Sequence, residues 1–317
     1  ASEIKALLCL VPEARELDTL SLHRYLNFLW CPGEGTPLRG VRKLLPGEAM
    51  VVRDGKVTQR WAWYQLPVFR GVTGTLSKAD ALRGTVDGLR QAVHRQLVAD
   101  VPVGAFLSGG LDSSALVAFA REQVPDIRCF TIESVGGQDA GETDDLPYAR
   151  RVAKHLKVPL DVVQIDACQM ADDLERMIVQ LDEPLADPAP LNVLYISQLA
   201  REQGIKVLLS GAGGDDLFSG YRRHQALNWE PFFNYTPTFF MHSMQYFSSM
   251  LPTNYSTFRR IKKILRNATK TPLERMAGYH EWLPLKLNFG LFSDEINFNI
   301  GDYKPSKILI DSLREIP

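Results

Sequence analysis

Between about residue 100 and residue 210 the chain alternates short, continuously apolar runs with longer amphipathic ones. The runs "VGAFL", "IRCFTIE", "LDVVQI" and "KVLLS" are separated by "SALVAFAREQ", "LPYARRVAKHL", "DDLERMIVQL" and "LYISQLAREQ". A strand that is apolar at every position has no face to give to water, so both its faces must be covered, and the intervening helices are the covers. The pattern predicts an α/β domain, a doubly wound parallel sheet with helices on both sides.

The flanking segments read differently. In "LLPGEAMVVRDGKVTQRWAWYQL", Asp54-Gly55 lies between two β-rich runs and predicts a hairpin, so residues 1–65 are read as a small β domain. The stretch "FRGVTGTLSKADALRG" reads as a loop, after which Ser77 and Asp80 form a capping pattern that opens a helix. Leu82, Val86, Leu89, Val93 and Leu97 follow on one helical face. The main domain is placed at 66–227. From 228 to 317 the chain is aromatic, then basic ("WEPFFNYTPTFFMHSMQYF", "YSTFRRIKKILRN"), and is read as a helical extension; "NIGDYKPSKILIDSLREIP" offers no interpretable pattern.

Composition narrows the partners. Net charge is -1, from 36 basic and 37 acidic residues, so no global field favours nucleic acid or an anionic membrane, and neither is expected as a partner. Cys9, Cys31, Cys129 and Cys168 stand far apart and form no C-x-x-C pair, which argues against a disulfide framework or a zinc site. No apolar run reaches the roughly 18 residues of a membrane helix, and "ASEIKALLCLVPEARELD" turns polar too soon for a signal peptide, so a cytoplasmic location is expected. The basic helix around Arg259, Arg260, Lys262, Lys263 and Arg266 could touch a membrane surface or an anionic partner, but is read first as a solvated face over a core stripe. The aromatic cluster Trp229, Phe232, Phe233, Tyr235, Phe239 and Phe240 could line a pocket for an apolar or sugar substrate, but is read first as packing of the extension onto the α/β domain.

The chemistry concentrates in "GAFLSGGLDSS", Gly104 to Ser114, where a strand hands over to a helix. In an open parallel sheet ligands sit beyond the carboxyl ends of strands, where helix N-termini present free N–H groups and a positive dipole end. Gly109 and Gly110 let the backbone turn its N–H groups inward, and Ser108, Ser113 and Ser114 add hydroxyls, so the loop forms a nest for a phosphate. No lysine follows the glycines, so the loop is not a Walker motif. Asp112 would repel polyphosphate unless a cation such as magnesium lay between them; the plainer alternative is a helix cap.

"VPVGAFLSGGLDSSALVA" closely resembles the pyrophosphate loop of the ATP pyrophosphatases, and of the asparagine synthetase family in particular. "KVLLSGAGGDDLFSGYRRH" is similar to that family's later segment S-G-E/D-G-x-D-E-L-F-x-G-Y, and the stretches between them match in order over residues 76 to 224. The resemblance implies the fold of adenine nucleotide alpha hydrolases, with ATP and magnesium as cofactors. It implies an amide-forming ligase: a carboxylate, foremost aspartate, attacks the α-phosphate of ATP, pyrophosphate leaves, and ammonia displaces AMP. Carried over by position, Ser108, Gly109, Gly110, Asp112, Ser113 and Ser114 fall on the pyrophosphate loop. Asp215 falls on the second metal-linked aspartate, with a second helix cap as its plainer reading. Ser210 and Gly211 approach the nucleotide, Phe106 and Ile132 the adenine, and Tyr221 the reacting centre. A homodimer is compatible with this family.

The match departs from the family pattern in three places. Where asparagine-forming members carry Glu or Asp in the second loop this chain has Ala212, which cannot accept a proton. Residues 1 to 65 resemble only the closing part of a glutaminase domain of the type with an N-terminal nucleophile, without its cysteine at position 1. The later D-R-x-S/A-M segment and its lysine are not found before Pro317. The chain is therefore expected to be truncated at both ends and to take ammonia from glutamine in a longer parent or from a separate glutaminase. The competing readings are a relative acting in capsule, glycan, lactam or cyclic-peptide biosynthesis, and a nucleotide-binding pseudoenzyme.

Overall fold

The computed structural model describes residues 3–67, 76–135, 145–187, 189–252, 254–283 and 285–314. Contacts divide the chain into two compact units, one of Thr73–Gln180 with Asp187–Tyr221, the other of Ala1–Val72, Leu181–Ala186 and Arg222–Pro317. The linker expected after residue 66 lies mostly outside the described residues.

The second unit begins with α1 (Ile4–Leu10) and α2 (Thr19–Phe28), followed by the antiparallel hairpin β1 (Glu48–Arg53) and β2 (Lys56–Ala62). Asp54 and Gly55 both have positive φ, which gives the two-residue turn the twist that matches the strands. The hairpin is as expected; the helices ahead of it correct the reading of this segment as β throughout. α2 starts at Asp18, whose carboxylate accepts from Ser21 N, and ends at left-handed Leu29. Its buried residues are Ser21, His23, Asn27 and Phe28, so its core face carries almost no hydrophobic signal.

The α/β unit opens with α3 (Lys78–Gln96), capped by Ser77 as expected. It continues through β3 (Val103–Phe106), α4 (Leu111–Ala120), β4 (Cys129–Val135), α5 (Leu146–Leu156), β5 (Leu160–Asp166), α6 (Ala167–Asp172), α7 (Leu174–Gln180), α8 (Ala189–Glu202), β6 (Val207–Leu209) and α9 (Gly214–Leu217). The four strands pair in parallel in the order β5-β4-β3-β6. On one face Ala105, Leu107, Cys129 and Leu209 pack with Val93, Val117, Ala120, Ala149 and Ala153 of α3, α4 and α5. On the other Phe106, Phe130, Ile132 and Val163 pack with Ile196 and Ala200 of α8. Adjacent strand residues thus bury on opposite faces, which is why each strand is apolar throughout.

After Tyr221 the described elements are helical: α10 (Arg222–Ala226), α11 (Glu230–Tyr235), α12 (Thr238–Ser249), α13 (Ser256–Leu265), α14 (Pro272–Gly278), α15 (Leu285–Phe289), α16 (Asp294–Ile300) and α17 (Lys307–Arg314). Buried Arg275 ties α14 to α11, donating to both Glu230 carboxylate oxygens and to Asn234 Oδ1. These helices and the N-terminal segment fold together. Asn288 Nδ2 donates to His23 O, Arg24 Nε donates to the Tyr303 hydroxyl, and Trp282 N donates to Asn27 O. The strap Leu181–Ala186 joins them through Ile4 N to Asp182 Oδ1 and Lys43 Nζ to Glu183 Oε2. The sequence reading kept the two ends of the chain apart because nothing local announces such distant pairings.

His23 is fully buried among the rings of Phe289, Phe292 and Tyr303, with centroids 5.1, 5.9 and 6.4 Å away. Neither ring nitrogen has a hydrogen-bond partner among the described residues, and burial lowers its pKa, so the folded chain holds it neutral. Below about pH 6.5 the unfolded chain binds a proton there that the folded chain resists, so stability falls as pH falls. Melts between about pH 7.5 and pH 5 are expected to show a shallower acid loss in His23→Phe than in the wild type. Equal slopes would refute the neutral, caged histidine.

Candidate active site

The chain runs from β3 outward to β4 and β5, then returns to lay β6 on the other side of β3. The winding therefore reverses between β3 and β6, and the loops leaving their carboxyl ends part to form the crevice where doubly wound sheets bind ligands. Those two loops carry the two glycine-rich motifs.

The first loop is held from within. Gly109 has φ +82°, and a Cβ there would overlap the backbone of Tyr148 and Ala149 in α5. Gly110 N donates to Ser108 Oγ at 3.3 Å, Ser113 Oγ donates to Gly110 O at 3.2 Å, and the two serine hydroxyls lie 3.0 Å apart. Gly110 occupies the N-cap of α4 with no side-chain cap, so Asp112 does not serve as one. The first-turn N–H groups remain for an anion. Ser114 Oγ is buried with no partner among the described residues.

The second loop turns on Gly213, φ +92°, the N-cap of α9, which again lacks a side-chain cap. Exposed Ser210 accepts from Ala212 N at 3.1 Å. The loops meet through glycine. A Cβ on Gly211 would stand 3.0 Å from Ser113 N and 3.1 Å from the Asp112 carbonyl carbon, and one on Gly214 would overlap the Asp112 carboxylate. That carboxylate therefore lies against the residue preceding Asp215. Asp215 is half-buried under Gly220, where a Cβ would overlap its Oδ1; Gly220 N donates to Asp215 O at 2.9 Å after left-handed Ser219. Gly214, Gly220 and the Tyr148–Ala149 backbone were missed as site elements, although the glycine run "GAGGDD" hints at the first.

The remaining expected residues spread outward. Phe106 and Ile132 sit together in the α8-side cluster, half-buried; Ala212 and Tyr221 are exposed. Among the described residues no group of three His, Cys, Asp or Glu side chains could hold a metal. Two carboxylates on adjoining loops suit a hard cation that takes its other ligands from phosphate oxygens and water, as magnesium does, and suit zinc poorly. The arrangement leaves the uncapped N-terminus of α4 next to a loop that carries Gly211, Gly214 and Asp215.

Comparison with known proteins follows the same lines. The family model for asparagine synthase matches residues 85–288. Glutamine-hydrolyzing asparagine synthetase 1 of Bacillus subtilis is 32% identical over 234 residues, covering 73% of this chain and 35% of that protein. A putative glutamine-hydrolyzing asparagine synthetase of Mycobacterium tuberculosis is 34% identical over 284 residues, 88% of this chain and 42% of that protein. Amidase chyE of Penicillium rubens is 29% identical over 212 residues, 62% of this chain and 31% of that protein. The chain thus spans less than half the length of each of these relatives.

Proposed function

The chain belongs to the asparagine synthase family, and on that premise we propose that its α/β unit is an ATP-dependent, amide-forming carbon–nitrogen ligase. The observation that supports the reading is the meeting of the two glycine loops at the switch point, where Gly211 lies against the Asp112–Ser113 backbone and Gly214, the residue before Asp215, lies against the Asp112 carboxylate.

In this reading the nest of Ser108, Gly109, Gly110 and Ser113, with the N-terminus of α4 and the hydroxyl of Ser114, binds the β- and γ-phosphates. Asp112 and Asp215 would hold magnesium, whose charge offsets that of the departing pyrophosphate. Phe106 and Ile132 would face the adenine, and Ser210 and Gly211 the rest of the nucleotide. A substrate carboxylate oxygen attacks the α-phosphorus, the bond to the β-phosphate oxygen breaks, and pyrophosphate leaves. An amine then attacks the acyl carbon beside Tyr221 and AMP leaves. The protein's part is chiefly positioning and charge neutralisation. Because Ala212 cannot accept a proton, the amine passes its proton to solvent or to another group.

Aspartate and ammonia are the leading substrates, the ammonia drawn from glutamine in a longer protein or from a separate glutaminase. A second reading, amide formation on another carboxylate, is favoured by Ala212. The test is magnesium-dependent pyrophosphate release from ATP, with each carboxylate and amine omitted in turn. Release that requires aspartate and ammonium, with AMP and asparagine formed, supports the leading reading; release with a different carboxylate supports the second. ATP binding without turnover on any carboxylate would overturn both and leave a nucleotide-binding pseudoenzyme.

A further inference from the structure

The helical extension carries a surface that the ligase reading does not use. On α12, Phe239, Phe240, Tyr246 and Phe247, with Met250 just beyond, are 58% to 76% exposed and recur at helical spacing on one side; Met241 and Ser248 are buried opposite. Within the unit that carries it, this face of α12 is uncovered. Five large apolar side chains on a convex helix exceed the scattered exposure normal for a protein surface.

The sequence around that face is locally basic, although Arg266 lies 4.0 Å from Glu281. From Pro231 to Leu273 the chain has no Asp or Glu, and it carries Arg259, Arg260, Lys262, Lys263, Arg266 and Lys270. The basic helix α13 is fastened along α12, with Lys262 Nζ donating to Ser249 O at 2.9 Å and Gln245 Nε2 donating to Arg266 O at 2.7 Å. Arg259 and Arg260 are exposed. The net charge of -1, the ground on which a membrane partner was not expected, averages over this local excess.

We propose that the α12–α13 hairpin is a docking surface for an anionic lipid bilayer, with the aromatic face of α12 entering the headgroup boundary and the basic side chains of α13 meeting anionic headgroups. An in-plane helix with aromatic residues on one side and cations beside them is the form such association takes. A second copy paired through the same face would set basic surface against basic surface. A single-stranded nucleic acid binds in a charged groove lined by stacking rings, whereas this face is the outside of a helix. No described helix is long and apolar enough to cross a membrane, so the contact is with the surface.

The experiment is flotation of the chain with vesicles of phosphatidylcholine plus phosphatidylglycerol, compared with phosphatidylcholine alone, at low and high salt. Binding is expected to the anionic vesicles, with loss at high salt. Arg259→Gln with Arg260→Gln should lower the partition coefficient by about fivefold per residue, and Phe239→Ser with Phe247→Ser by roughly tenfold or more per ring. All four positions are exposed, so each variant should melt as the wild type does, which separates lost binding from lost folding. The proposal is overturned by absent binding at low salt, by equal binding to both vesicle types, or by Phe239→Ser with Phe247→Ser binding like the wild type. Displacement from vesicles by oligothymidylate, or self-association without vesicle binding, would equally overturn it.

Discussion

Asp112→Asn is expected to lower magnesium-dependent pyrophosphate release by roughly 10²–10³-fold, the usual loss when one group that neutralises developing charge is removed. The melting point should barely move, because Asp112 caps no helix and forms no ion pair among the described residues. Gly214→Ala makes a sharper companion. Its methyl would stand where the Asp112 carboxylate now lies, and a flexible carboxylate can yield by rotating away. Gly214 opens the four-residue helix α9, where alanine gains less than the roughly 1 kcal/mol of a helix interior, so this variant should keep its stability while losing release. Full release in Asp112→Asn would remove magnesium from that residue; full release in Gly214→Ala would show that the carboxylate works from another position.

What could be read from the sequence follows from how local each signal is. The helix α5 occupies Leu146–Leu156, the span its apolar spacing predicts, and the strands fall on the four apolar runs because those runs are too short for helices and alternate with amphipathic segments. Both candidate loops are legible as strand-to-helix turns because glycines and hydroxyls cluster where a strand meets a helix. The helix α2 was lost because it buries a serine, a histidine and an asparagine. α17 was lost because its partners lie at the other end of the chain: Ile308 packs against Gly33. The contacts that shape the site, Gly109 on Tyr148 and Gly214 on Asp112, join residues far apart in sequence. A single chain read without its fold has no means of pairing them.

The same distinction sets the expectation for Gly109→Ala, the substitution that should damage the fold and the site together. At φ +82° an alanine costs about 1–2 kcal/mol in backbone energy. Its Cβ would also overlap the main chain of Tyr148 and Ala149, which no rotamer change relieves, so α5 or the loop must shift at a further cost of about 1–3 kcal/mol. Together these, about 2–5 kcal/mol, predict a drop in melting temperature of about 4–20 °C. ATP affinity should fall at least about tenfold, because the N–H groups of the nest move with the loop. Gly204→Ala separates the two causes, since Gly204 has φ +77° with nothing within 4 Å of its Cβ position and bears only the backbone cost. Nucleotide titration and thermal melts of both variants decide the matter. If Gly109→Ala melts with Gly204→Ala and binds ATP as the wild type does, then the close approach of α5 does not hold the loop, and the account of how this site is built fails at its first step.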